Sequence, residues 1–201
     1  MEEGKRCELV SWGRFHALAR RLARRIHAAG YRPDIIVAIG RGGYMPARIL
    51  SDFLDVLDLA SFKIEHYHAT HKGRQAIVRY PLPCDLGGRR VLLVDDVTDS
   101  GDTFSVALDH LAAHGLPLET RTAVLHHKVV SPYRPDFYAQ RVVKWRWIIY
   151  PWAVAEDVGS FIRAMSPRPA DVAEIEHRLA AEHGLRLPRR VLLDILELAL
   201  A

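Results

Sequence analysis

The residues best equipped for chemistry form one short stretch: Asp95-Asp96, then Asp99-Ser100-Gly101-Asp102-Thr103. The apolar run Val91-Leu92-Leu93-Val94 precedes them, so a buried strand is expected to deliver the two adjacent carboxylates. Behind them, Phe104 to His114 reads as a helix. A turn of this kind gathers backbone N–H groups at a helix start, where the dipole favours an anion. Gly101 lets backbone approach closely, and the Ser100 and Thr103 hydroxyls add hydrogen bonds. A terminal phosphate suits that cradle. The acid pair just upstream suits a sugar's vicinal hydroxyls or hydrated Mg²⁺.

A second glycine loop, Gly40-Arg41-Gly42-Gly43, follows the β-branched run Asp34–Ile39, which reads as another buried strand. Gly42 and Gly43 free the backbone to turn its N–H groups inward, and Arg41 brings a positive charge. The polar stretch His68 to Gln75, with His68, His71, Lys72 and Arg74, reads as a mobile loop. Within the wider span Tyr67 to Arg79 it is the candidate lid.

The elements that must hold these loops alternate. Trp12, Phe15, Leu18, Leu22 and Ile26 recur at helical spacing between a Ser11 cap and a Gly30 stop. Further strands are expected at Leu59–Tyr67, Ala76–Tyr80, Arg90–Val94, Thr120–Leu125 and Phe137–Val143. Helices are expected at Pro46–Leu54, Phe104–His114, Val154–Met165, Asp171–His183 and Arg189–Leu200. Alternation of this sort implies an α/β fold with an open, mainly parallel sheet flanked by helices. Ligands then bind at the carboxyl ends of the strands, where Gly40–Gly43, Asp95–Thr103 and Leu125–Lys128 lie. The Ser166-Pro167-Arg168-Pro169 stretch reads as a linker. It divides a main domain, 1–165, from a helical C-terminal appendage, 166–201.

The segment Val91 to Thr103 resembles the phosphoribosyl pyrophosphate (PRPP) signature of the type I phosphoribosyltransferases. Arg41-Gly42-Gly43 is similar to that family's pyrophosphate loop. The resemblance implies that Asp95 and Asp96 hold the ribose hydroxyls and Mg²⁺, and that Asp99, Ser100, Gly101, Asp102 and Thr103 wrap the 5-phosphate. It implies that Arg41, Gly42 and Gly43 hold the diphosphate, with Arg41 stabilising its charge during catalysis and a non-proline cis peptide expected at Arg41–Gly42. Asp99 becomes the catalytic general base toward the N7 proton of a purine. In the 6-oxopurine branch, a lysine at the place of Lys128 donates to the exocyclic oxygen. An aromatic at the place of Trp147 stacks on the ring, and the backbone of Ile148 reads its edge. These residues imply a small base-pocket hood at about 137–153. Where bacterial relatives carry an acid after the second tryptophan, Ala153 stands here, with Glu156 and Asp157 nearby; whether either meets a second metal stays open. The implied reaction joins PRPP and a purine base into a nucleoside monophosphate and pyrophosphate. Family precedent implies a homodimer or tetramer. Orotate or adenine as substrate, and a PRPP-sensing transcriptional regulator of the same fold, are the alternatives.

Composition narrows the classes. The net charge of +4, from 28 basic and 24 acidic residues, is too mild to argue for nucleic acid. Arg20, Arg21, Arg24 and Arg25 read as the wet face of the first helix. No apolar run is long enough to span a bilayer, and the charged start, Met1 to Arg6, lacks a leader pattern. Cys7 and Cys84 match no metal spacing and read as free thiols. A cytoplasmic enzyme is expected.

Overall fold

The structure is a computed structural model, and it describes residues 6–69 and 73–200. In chain order the elements are β1 (Cys7–Leu9), α1 (Trp12–Ala28), β2 (Ile35–Gly40), α2 (Tyr44–Leu54), β3 (Leu59–Ala69) and β4 (Gly73–Tyr80). There follow β5 (Arg90–Thr98), α3 (Asp102–Ala112), β6 (Glu119–Lys128), β7 (Phe137–Val142), β8 (Trp147–Ile149) and α4 (Val154–Ala164). The chain ends with α5 (Val172–Arg178), a π-helical turn (Leu179–His183) and α6 (Arg189–Leu198). The chain falls into two compact units: His16–Trp145, and Met1–Phe15 with Arg146–Ala201.

The first unit holds a six-stranded sheet in the order β4-β3-β2-β5-β6-β7. All neighbours run parallel except the β3–β4 hairpin. The centre of the sheet explains its sequence. Every residue of β2 is buried, as are Val91 to Val94 of β5. Strands covered on both faces need continuous apolar runs, not alternation. Ile35, Val37, Ile39, Val91, Leu93, Val124, Phe104 and Leu111 share one core. The helix expected from Ser11 forms, with the Ser11 hydroxyl accepting the N–H of Arg14 at 3.2 Å. Gly30 follows its end at φ 69°. Phe15, Leu18, Leu22 and Ile26 are buried, but Trp12 is 54% exposed. Arg20, Arg21, Arg24 and Arg25 are all exposed.

Three expected boundaries move. β5 does not stop at Val94: pairing of Asp95 with Val124, Val97 with His126 and Thr98 with His127 carries it to Thr98. α3 therefore starts at Asp102, and the loop between them shrinks to residues 99–101. The stretch expected as a loop, His68–Gln75, lies largely in the hairpin, whose ladder runs out to Ala69 opposite Gly73. Residues 70–72, with His71 and Lys72, lie outside the described residues.

The second unit joins both ends of the chain. β1 pairs parallel with β8, Cys7 opposite Trp147. Cys7, Ile149, Val158, Met165, Ile175, Leu179, Leu185, Leu192 and Ile195 form its core. The boundary expected at residue 166 thus falls inside a shared core. The expected hood is divided too: Phe137–Val142 is the edge strand of the large sheet, and Trp147–Ile149 belongs to this second unit. Leu192 and Ile195 of α6 are buried, whereas Leu198 is 80% exposed. Arg178 pairs with Glu182 at 2.9 Å and donates to the Pro167 carbonyl oxygen at 2.7 Å. Arg189 pairs with Glu176 at 3.4 Å. Arg178 and Arg189 are thus both paired within this unit. Among the described residues, no helix is long and apolar enough to cross a membrane.

Candidate active site

The two glycine loops meet because the strands feeding them are neighbours. β2 lies against β5, with Ala38 opposite Val94, and both loops leave from the same sheet edge. Contact is close. A Cβ added at Gly42 would stand 2.6 Å from an Asp96 carboxylate oxygen and 2.8 Å from one of Asp95. At Gly43 it would stand 2.3 Å from the Val94 carbonyl oxygen. The loop is glycine because the acid-bearing strand fills the space where side chains would go. The cis peptide lies at Gly40–Arg41, one bond before the expected Arg41–Gly42. It falls where the last residue of β2 hands over to the loop.

Asp95 accepts the backbone N–H of Asp96 at 2.9 Å. Burial, and next the charge of Asp96, raise the Asp95 carboxyl well above the ordinary carboxylate range. Two acids crowded this way call for a cation. Among the described residues no cluster of three or more metal-ligating side chains occurs. A pair of carboxylates suits Mg²⁺, which keeps several waters and takes its other ligands from substrate phosphates.

Beyond Thr98 the chain turns at Gly101, φ 84°, into α3. No side-chain hydrogen bond caps that helix start; the Phe104 and Ser105 amides turn back to the Gly101 carbonyl oxygen at 3.1 and 3.2 Å. Gly101 has a second constraint, because a Cβ there would lie 2.8 Å from that of Tyr133. The Tyr133 ring stacks on Phe104 at 4.9 Å, bracing the start of the helix from behind. His66 of β3 lies 3.1 Å from the Thr103 hydroxyl. Ser100 is exposed, and Arg41 is exposed on the opposite loop.

On the next strand, Lys128 is 3% exposed, and its ammonium lies 2.6 Å from Asp99 Oδ2. The same ammonium stands 4.4 Å from the ring centroid of Trp145. The Trp145 indole N–H donates to Asp99 Oδ1 at 3.2 Å. Beside Lys128, His127 Nδ1 lies 2.8 Å from the Thr98 hydroxyl. Burial, with Arg141 and Arg134 adding to it, lowers the His127 pKa.

The structure thus brings together Arg41, Gly42, Gly43, Asp95, Asp96, the 99–103 turn and Lys128 in the sheet unit. Trp147 and Ile148 sit in the other unit on β8, and Ile148 is buried there. In that unit Asp157 meets the Trp147 side chain. Burial raises its carboxyl to about 6, against the lowering effect of that hydrogen bond. Sequence reasoning missed Trp145, His66 and Tyr133. For Trp145 the Trp145-Arg146-Trp147 spacing marks two nearby indoles but not which of them reaches Lys128. For His66 and Tyr133 only the fold supplies a signal.

The site thus joins an uncapped helix start and an acid pair at the carboxyl ends of the strands of a mainly parallel sheet. The family model for the phosphoribosyl transferase domain matches residues 7–157, and the chain belongs to that family. It is 30% identical over 152 residues to a xanthine-guanine phosphoribosyltransferase of Cereibacter sphaeroides, covering 73% of this chain and 86% of that protein. It is 28% identical over 190 residues to the hypoxanthine-guanine phosphoribosyltransferase of Saccharomyces cerevisiae, covering 72% and 85%. Among solved structures, a purine phosphoribosyltransferase from Pyrococcus horikoshii matches with TM-score 0.64 and 30% identity, over 73% of this chain and 93% of that one. A Neisseria gonorrhoeae protein solved with bound ppGpp matches with TM-score 0.65 and 31% identity, over 74% and 89%.

Proposed function

We propose that this protein transfers ribose 5-phosphate from PRPP to a free 6-oxopurine (hypoxanthine, guanine or xanthine), releasing pyrophosphate and a nucleoside monophosphate in purine salvage. The observation that carries the reading is the uncapped start of α3, one turn beyond an acid pair against which the Gly42 loop is packed. The names of the relatives at about 30% identity support a purine as acceptor.

In this reading the amides and hydroxyls from Asp99 to Thr103 grip the 5-phosphate. Asp95 and Asp96 take the ribose hydroxyls and hold Mg²⁺, which when bound neutralises charge on the diphosphate. Arg41, with the Gly42 and Gly43 amides, receives the leaving diphosphate. Lys128 donates to the exocyclic oxygen of the base, and Asp99 takes the N7 proton as general base. The family resemblance assigns Trp147 to stacking on a purine ring and the Ile148 backbone to its edge. Family resemblance supports a cytoplasmic homodimer or tetramer.

The test is an ultraviolet assay with PRPP, Mg²⁺ and each base in turn, for wild type and Asp99→Asn. The expected outcome is turnover of at least one 6-oxopurine, with kcat about a hundredfold or more lower in the variant, as for loss of a general base. No turnover of any purine by the wild type overturns the reading. Equal rates remove only the role of Asp99.

A further inference from the structure

Trp145 has no part in the roles so far assigned. It is 39% exposed, and its indole N–H is nonetheless engaged by a protein acceptor. Here the indole makes two contacts, and both fall on residues assigned to the base. Its N–H donates to Asp99 Oδ1 at 3.2 Å. Its ring lies 4.4 Å from the Lys128 ammonium, on which a π face acts as a weak anion. The Lys128 ammonium holds Asp99 Oδ2 at 2.6 Å. Each oxygen of Asp99 therefore has its own donor, and Lys128 lies between a carboxylate and a ring.

We propose that Trp145 is a positioning residue of the base site, holding the Asp99 carboxylate by its indole N–H and the Lys128 ammonium by its ring. The proposal rests on the reading that Lys128 and Asp99 address the base. A 6-oxopurine offers a carbonyl oxygen beside a ring N–H. Its oxygen draws the Lys128 ammonium away from Oδ2, and its N–H takes the oxygen thus vacated. At that moment Asp99 loses its strongest tether. The indole on Oδ1 is what keeps the carboxylate turned toward the proton it must accept. The ring meanwhile guides the ammonium while its ion pair opens.

Three substitutions separate the two contacts. Trp145→Phe keeps a ring over Lys128 and removes the N–H. Trp145→His keeps a ring N–H. Trp145→Ala removes both. Steady-state kinetics at saturating PRPP and Mg²⁺, with hypoxanthine, guanine or xanthine varied, read the outcome. Trp145→Phe is expected to lower kcat about tenfold, the weight of one hydrogen bond to a charged group, with base KM changed less than about twofold. Trp145→His is expected to recover part of that kcat. Trp145→Ala is expected to lose kcat similarly and also to raise base KM by about tenfold. Wild-type kcat and KM in both Trp145→Phe and Trp145→Ala overturn the proposal. So does an equal loss in all three variants with a matching fall in melting temperature, which marks a packing role. A wild type inert on every purine defeats the parent reading and this inference with it, and is told apart because no substitution is involved.

Discussion

Asp99 and Lys128 are bound to each other before any substrate arrives, at 2.6 Å and with the lysine almost wholly covered. A ligand that enters between them must replace both halves of an ion pair. This selects for a group presenting an acceptor to the lysine and a donor to the aspartate, and it disfavours a base whose only offering to Lys128 is an amino group. Lys128→Met is therefore expected to raise KM for 6-oxopurines by about tenfold or more, while KM for PRPP changes little. Initial-rate kinetics with each substrate varied in turn checks this. Asp99 and Lys128 were legible in the sequence because each ends or follows an apolar strand at a recognisable motif. Trp145 was not. Tryptophans at 145 and 147 flank Arg146, and only Trp147 lies in a strand. Sequence alone cannot say which indole reaches a lysine on a strand that is distant in the chain.

The first glycine loop is shaped by what lies under it. A methyl at Gly42 collides with the Asp95 and Asp96 carboxylates, the very groups assigned to the metal and sugar. Side chains can shift, so Gly42→Ala is expected to fold but to weaken PRPP binding about tenfold or more, measurable by calorimetry with Mg²⁺ present. Gly43→Ala meets backbone, the Val94 carbonyl oxygen at 2.3 Å and the Ile39 carbonyl oxygen at 2.8 Å. Backbone in a central strand pair cannot yield cheaply. That variant is expected to lose about 2–4 kcal/mol of stability in urea unfolding, the scale of overpacking and backbone strain. At this scale the sequence told most where strands are buried on both faces, as in β2 and β5. It told least at β1, where three residues carry no period, and at the end of β5. There the acids looked like loop residues, and only pairing with β6 keeps them in the strand.

Over the whole chain, the segment after Met165 is part of a core and not an appendage. Val158, Met165 and Ile149 are covered by Ile175, Leu179, Leu185, Leu192 and Ile195. Truncation after Met165 uncovers them, and the shortened protein is expected to melt at lower temperature and to aggregate, as scanning calorimetry and light scattering report. Charge adds a smaller effect at the foot of the sheet. The Arg90 side chain, then its backbone N–H, lowers the Asp34 carboxyl from 3.8 to about 2. A lowered folded pKa gives stability that is present above 3.8 and fades as pH falls through about 2. Asp34→Asn is thus expected to melt slightly below wild type near neutrality and to match it at the acid end of that window. The difference stays small because the pair is largely solvated. The fold class was legible from strand and helix alternation. The division into units was not, because it depends on a partnership between the first strand and one near residue 148.

That partnership, Cys7 to Leu9 beside Trp147 to Ile149, sets a timetable for synthesis. The ribosome releases β1 first, but its mate emerges only after the entire six-stranded sheet. The sheet unit, an unbroken run from His16 to Trp145, can collapse as it is made. The opening strand must wait as an unpaired edge, and its closing joins residues far apart in the chain, the kind of contact that forms late. Nascent chains arrested before β8 leaves the exit tunnel should therefore resist protease across the sheet while the first ten residues are still cut.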